Sequence, residues 1–113
     1  MPVSPAMRAR VVHRASSACE YCLVNEHYAT FAYQIDHIIA KKHGGTDIFE
    51  NLANSCVQCN RFKGSDIALI DPESGELVPL FNPRTEKWNE HFRLDGFVIV
   101  PLTPIGRATV SLL

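Results

Sequence analysis

The stretch ENLANSCVQCNRFKG, Glu50 to Gly64, decides the fold. It holds Cys56 and Cys59 in a C-x-x-C pair, followed by Asn60 and Lys63. The pattern predicts a short strand after Asn51, then a tight knuckle opening a helix that runs to about Lys63 or Gly64. Upstream, Cys19 and Cys22 form a second C-x-x-C pair. Four soft thiolates in two such pairs suit a closed tetrahedral zinc site. In an oxidising compartment the same four could make two disulfides, whereas in a reducing cytosol paired C-x-x-C units more often bind zinc. A thioredoxin-like redox pair needs a βαβ context, and none is visible. A closed four-cysteine site has no open position for chemistry, so this zinc is expected to be structural. It ties the first knuckle to the start of the later helix.

The interval from Cys22 to Cys56 exceeds the usual spacer of a four-cysteine zinc site, which suggests an insertion carrying functional residues. Within it Phe31, Tyr33 and Ile35 alternate with Thr30, Ala32 and Gln34, the period of a strand. That strand is expected to run into Asp36-His37-Ile38-Ile39, and Gly44-Gly45 then permits a turn. Hydrolysis of a phosphodiester needs a water to lose a proton, and His37 is suited to take it near neutral pH. A hard divalent ion would stabilise the developing charge, and it prefers oxygen ligands. Asp36 and Asn60 can supply them. Strand neighbours point opposite ways, so Asp36 can hold an ion while His37 addresses water. Lys63 follows Asn60 by three residues on the same helix face and is a candidate phosphate contact. Lys41, Lys42, His43 and Arg61 are further candidates, with a plain solvated face as the alternative.

These residues resemble the HNH, or ββα-metal, nuclease family, in the branch with asparagine in the third motif position. The resemblance spans about residues 15–65. It rests on Asp36-His37-Ile38, Gly44-Gly45, Asn51-Leu52 and Cys56-x-x-Cys59-Asn60-x-x-Lys63. It implies His37 as general base, Asn51 as the brace of that histidine, and Asp36 with Asn60 as ligands of a catalytic ion such as Mg²⁺ or Mn²⁺. It implies DNA as substrate, with a 5′-phosphate and a 3′-hydroxyl as products. Residues 71–107 resemble C-terminal extensions of bacterial HNH proteins, through Phe81-Asn82-Pro83-Arg84, Trp88-x-x-His91-Phe92 and Leu102-Thr103-Pro104-x-Gly106-Arg107-Ala108.

The rest of the chain fits an α+β fold. Ser4-Pro5 reads as an N-cap and first helical residue. Met7, Val11 and Ala15 then recur at one-turn spacing, predicting an N-terminal helix over about 5–16 with Arg10 and Arg14 on a solvated edge. Asp71-Pro72-Glu73-Ser74-Gly75 is a turn cluster, Leu77 to Phe81 a short strand, and Trp88 to Phe92 a helix or turn with His91 packed in the core. Leu94 to Val100 reads as a turn into a strand, and Thr103-Pro104 opens a final helix. No boundary for a second domain is evident. The 113 residues are expected to form a single HNH domain, with its core over about 15–65 and a small mixed C-terminal extension over about 66–113.

Net charge is −1, so any attraction to phosphate must be local. Residues 1–63 are slightly basic and the remainder acidic. No apolar run is long enough to span a bilayer and no signal-peptide pattern is present, so the expectation is a soluble, cytoplasmic protein. The expected function is metal-dependent DNA cleavage. The rival is a non-catalytic four-cysteine zinc module that binds nucleic acid or a protein. A zinc deaminase is excluded, because its His-x-Glu and Pro-Cys-x-x-Cys halves are both missing.

Overall fold

The computed structural model describes residues 3–113. They form two compact units, one ending at Ser65 and one from Asp66 to Leu113. Both are built from helices and small antiparallel hairpins.

In the first unit, helix α1 spans Pro5–Arg14, capped by the Ser4 hydroxyl on the Met7 amide, with proline in the first turn. Strands β1 (Gln34–His37) and β2 (Leu52–Ser55) pair antiparallel, placing Asp36 opposite Ala53 and His37 opposite Leu52. Helix α2 (Val57–Lys63) follows β2 at once, with Cys56 as its N-cap. Every residue of β2 is buried, so this short strand is the spine of the unit. Val11 of α1 is fully buried, as is Leu52.

Two expectations change here. Arg14 is no solvated edge. Its guanidinium donates to the carbonyls of Phe49 and Leu52 and lies 3.8 Å from the Phe49 ring centroid, with Arg10 at 4.2 Å from the same ring. The pair clamps α1 to the chain entering β2 through cation–π contact. The first strand also starts later than the alternation suggests. The Tyr33 amide donates to the Glu26 carboxylate rather than to a strand partner, and Phe31 is 71% exposed.

In the second unit, β3 (Ala68–Ile70) and β4 (Leu77–Pro79) form a hairpin around the Asp71–Gly75 turn. Helix α3 (Trp88–His91) leads directly into β5 (Phe92–Asp95), which pairs with β6 (Val98–Pro101). The sequence pattern marks the turn and β6 but neither β3 nor β5, and the strand expected over Leu77 to Phe81 ends two residues earlier, at Pro79. Helix α4 (Pro104–Leu112) is capped by Thr103. Phe81 and Phe92 meet edge to face in the core. His91 bonds Thr103 through Nδ1 and Glu86 through Nε2. Arg107 holds the buried Asp71 carboxylate bidentately at 2.8 and 2.9 Å, joining α4 to the first hairpin's turn. Among the described residues no helix is long and apolar enough to cross a membrane.

Candidate functional site

The cysteine knuckles converge. The sulfurs of Cys19, Cys22, Cys56 and Cys59 all lie within 4.8 Å of one another, and those of Cys22 and Cys56 are 3.9 Å apart. A tetrahedral zinc with bonds of about 2.3 Å sets its sulfurs about 3.8 Å apart, so the cluster has the size of a zinc site. Local backbone turns aim the sulfurs. The Cys22 amide points at the Cys19 sulfur and the Cys59 amide at that of Cys56. Asn54 of β2 joins the hairpin to the first knuckle: its amide donates to the Glu20 carboxylate and its side chain to the Ala18 carbonyl. The crowded sulfurs cannot all ionise alone. Hydrogen bonds from Cys22 and Cys59 hold the Cys19 thiol far below its ordinary range, and the same bonds push those two up. A bound cation would relieve that conflict.

Beside this cluster, β1 and α2 shape an open cleft of about 370 Å³ lined by Asp36, His37, Lys41 and Asn60. The β-strand alternation separates the first two residues. Asp36 turns inward and is 4% exposed. Its Oδ2 accepts from the Tyr21 hydroxyl at 2.5 Å and from Lys63 Nζ at 3.1 Å, while Oδ1 has one long contact to Lys63 at 3.4 Å. Burial pushes the Asp36 carboxyl up, against the charge of Lys63 and the Tyr21 hydrogen bond. Burial likewise raises the Tyr21 phenol, with the Asp36 charge adding to it, so the hydroxyl stays a donor. The Asn60 amino group donates to the Gln34 side chain, so its carbonyl oxygen is the atom it could offer a metal. One carboxylate oxygen and one amide oxygen on the same cleft fit a hard divalent ion.

His37 turns outward. Its side chain is 23% exposed, and Nε2 lies 2.6 Å from Asp47 Oδ1. The other oxygen of Asp47 takes Lys41 Nζ at 3.1 Å. Hydrogen bonds from His37 and then Lys41 hold the Asp47 carboxyl below its ordinary range.

This geometry corrects the expectation for Lys63 and places the other candidates. Lys63 is 3% exposed and donates to Asp36 and to the carbonyls of His37 and Ile38, so it is an internal tie and not a phosphate contact. Asn51 does not touch the imidazole through any of its side-chain hydrogen bonds. Its Oδ1 accepts from the Ile39 amide, and its Nδ2 donates to the carbonyls of Ile39 and Thr46. It fixes the loop that follows β1. Arg61 lines a separate cavity of about 440 Å³, together with Phe31, Tyr33 and Gln58. Lys41, Lys42 and His43 form an exposed 3-10 turn, and Lys41 alone of them lines the cleft. Sequence reading missed Tyr21, Gln34 and Asp47. Gln34 lies in the strand alternation without being marked as functional, no periodicity marks Tyr21 or Asp47, and Asp47 comes two residues after Gly45.

A search of curated proteins and a search of solved structures return no match. The family model described as HNH endonuclease matches residues 19–66. The matched segment begins at the first zinc-knuckle cysteine and ends just past α2, enclosing the cysteine cluster and the Asp36–His37–Asn60 cleft. Over residues 19–66 this chain is similar to the HNH endonuclease family.

Proposed function

We propose that the chain is an endonuclease that hydrolyses DNA phosphodiester bonds, using His37 as general base and one divalent ion, Mg²⁺ or Mn²⁺. The observation that carries this reading is the meeting of Asp36, His37 and Asn60 on one open cleft, inside a hairpin–helix unit closed by four cysteines. Cys19, Cys22, Cys56 and Cys59 would hold a structural Zn²⁺, which would tie β2 and α2 to the first knuckle. A divalent ion on Asp36 and Asn60 would supply positive charge for the phosphorane and the leaving oxygen. His37 takes a proton from the attacking water through its exposed ring. Tyr21 and Lys63 fix the Asp36 carboxylate from behind. Lys41 offers the cleft a cation for a substrate phosphate, with Lys42 and His43 beside it on the exposed turn. A reducing cytoplasm would keep all four thiols available for zinc.

The test is cleavage of supercoiled plasmid by zinc-loaded protein, first with weakly bound ions stripped by a mild chelator and then with Mg²⁺ or Mn²⁺ restored. Nicking that returns only with the added ion supports the reading, and no cutting under any ion rejects it.

One observation favours a second reading. The Lys63 ammonium already neutralises Asp36, as it would in a domain that binds nucleic acid through a four-cysteine zinc module without cutting it. DNA retention without turnover in the same assay would favour that alternative.

A further inference from the structure

Asp47 lies ten residues beyond His37, across a loop whose closure nothing in the sequence spacing requires. We infer that Asp47 is a positioning residue for the proposed hydrolysis, fixing His37 in the tautomer that keeps its proton on Nε2 and leaves Nδ1 to act as the base. The inference rests on the nuclease reading above.

Its first support is the 2.6 Å contact between His37 Nε2 and Asp47 Oδ1. An ionised carboxylate only accepts hydrogen bonds, so the ring nitrogen facing it must be the donor. In a neutral imidazole the other nitrogen then carries the lone pair. Lys41 supplies the second support. Its ammonium takes Asp47 Oδ2 at 3.1 Å, so each carboxylate oxygen has its own donor and the group cannot turn freely.

The third support is the loop itself. Asn51 grips the backbone at Ile39, two residues after the base, and at Thr46, the residue before Asp47. Gly45 packs so closely that a Cβ there would meet the Ile39 carbonyl oxygen at 1.7 Å. The loop is pinned at both ends of the His37–Asp47 contact. Asn51 therefore braces the histidine through Asp47, not by touching the ring.

The proton accounting is simple. The water O–H bond breaks, an N–H bond forms at Nδ1, the hydroxide oxygen bonds to phosphorus, and the P–O3′ bond breaks, with the leaving 3′ oxygen taking a proton from solvent. The ring becomes an imidazolium protonated on both nitrogens. Asp47 takes no proton and faces the new charge.

The test uses the zinc-loaded full chain with ¹⁵N-labelled histidine, the His37 ring signals being assigned by their loss in His37→Asn. Wild type should show a protonated Nε2 and a bare Nδ1 in its neutral ring. Asp47→Ala should lose that preference and lower kcat by about 10- to 100-fold, part of the roughly 10²–10⁴ that a positioned base contributes. KM should not rise, because Lys41 is released and not removed. Asp47→Asn keeps an accepting oxygen and should retain more activity than Asp47→Ala. A wild-type ring protonated on Nδ1, or an Asp47→Ala protein with unchanged kcat, would overturn the inference. Absence of cleavage by wild type, with the Nε2–H signal present, would instead strike the nuclease reading on which it rests.

Discussion

Lys63 Nζ lies 3.1 Å from the Asp36 carboxylate, and each side chain is 4% exposed. A charged pair so deeply buried survives only when both members are held, and here the ammonium also meets two carbonyls while the carboxylate meets Tyr21. Lys63→Met should leave the carboxylate without its cation and destabilise the first unit by about 3–5 kcal/mol. Denaturant unfolding of the zinc-loaded variant measures this. A loss under about 1 kcal/mol would show that the pair is not structural.

Cysteine replacement tests whether a metal joins the two knuckles. If zinc ties them, Cys56→Ser should lose the metal and the protection of β2 and α2 from hydrogen exchange. Metal content and amide exchange report both changes. A folded, zinc-free variant would remove the structural role of the cluster.

The loop after β1 should be intolerant of small changes. In Gly45→Ala the added carbon meets the Ile39 carbonyl, and the backbone must shift, at about 1–3 kcal/mol. Asn51→Ala loses three side-chain hydrogen bonds to that loop. Both variants should lower kcat more than they lower the affinity for DNA, as seen by cleavage and by equilibrium binding. An effect on binding alone would place the loop outside the chemistry.

Acid should weaken the second unit through Asp71. Hydrogen bonds from Arg107, supported by Ser74, hold its carboxyl well below the usual carboxylate range. A folded-state value below the unfolded one means stability present above about pH 4 and lost as pH falls further. Asp71→Asn should therefore be less stable than wild type at pH 7, and the gap should narrow below about pH 4. Denaturation followed by the fluorescence of Trp88, the single tryptophan, gives the comparison. A gap that stays constant with pH would mean the ion pair is not the cause.

Spacing along the chain made part of this site legible. The two C-x-x-C pairs, the adjacent Asp36 and His37, and Asn60 one residue past Cys59 are fixed by short-range geometry, and the structure places them where that geometry implies. Direction was harder. Helix periodicity put Lys63 on the face of Asn60 but could not say that the face looks inward. The need of a buried carboxylate for a partner outweighs the tendency of lysine to stay in water. Asp47 and Tyr21 were invisible because their partners are chosen by how the loop and the knuckle close in space. The four residues of β5 alternate apolar and polar, yet they abut α3 and Gly96, and so read as part of a turn. The Phe31 alternation was real, but Glu26 takes the amide that a longer strand would have paired.

The most direct measurement compares wild type with His37→Ala on supercoiled DNA, both zinc-loaded and stripped of weakly bound ions before Mg²⁺ or Mn²⁺ is added. The ring sits on the cleft wall and partly in solvent, so its removal should leave fold and zinc intact. The expected result is ion-dependent nicking by wild type and at least a 100-fold loss in the variant, about the lower bound for a general base. Equal cutting by a folded, zinc-bearing His37→Ala protein would contradict the central claim that this histidine is the base.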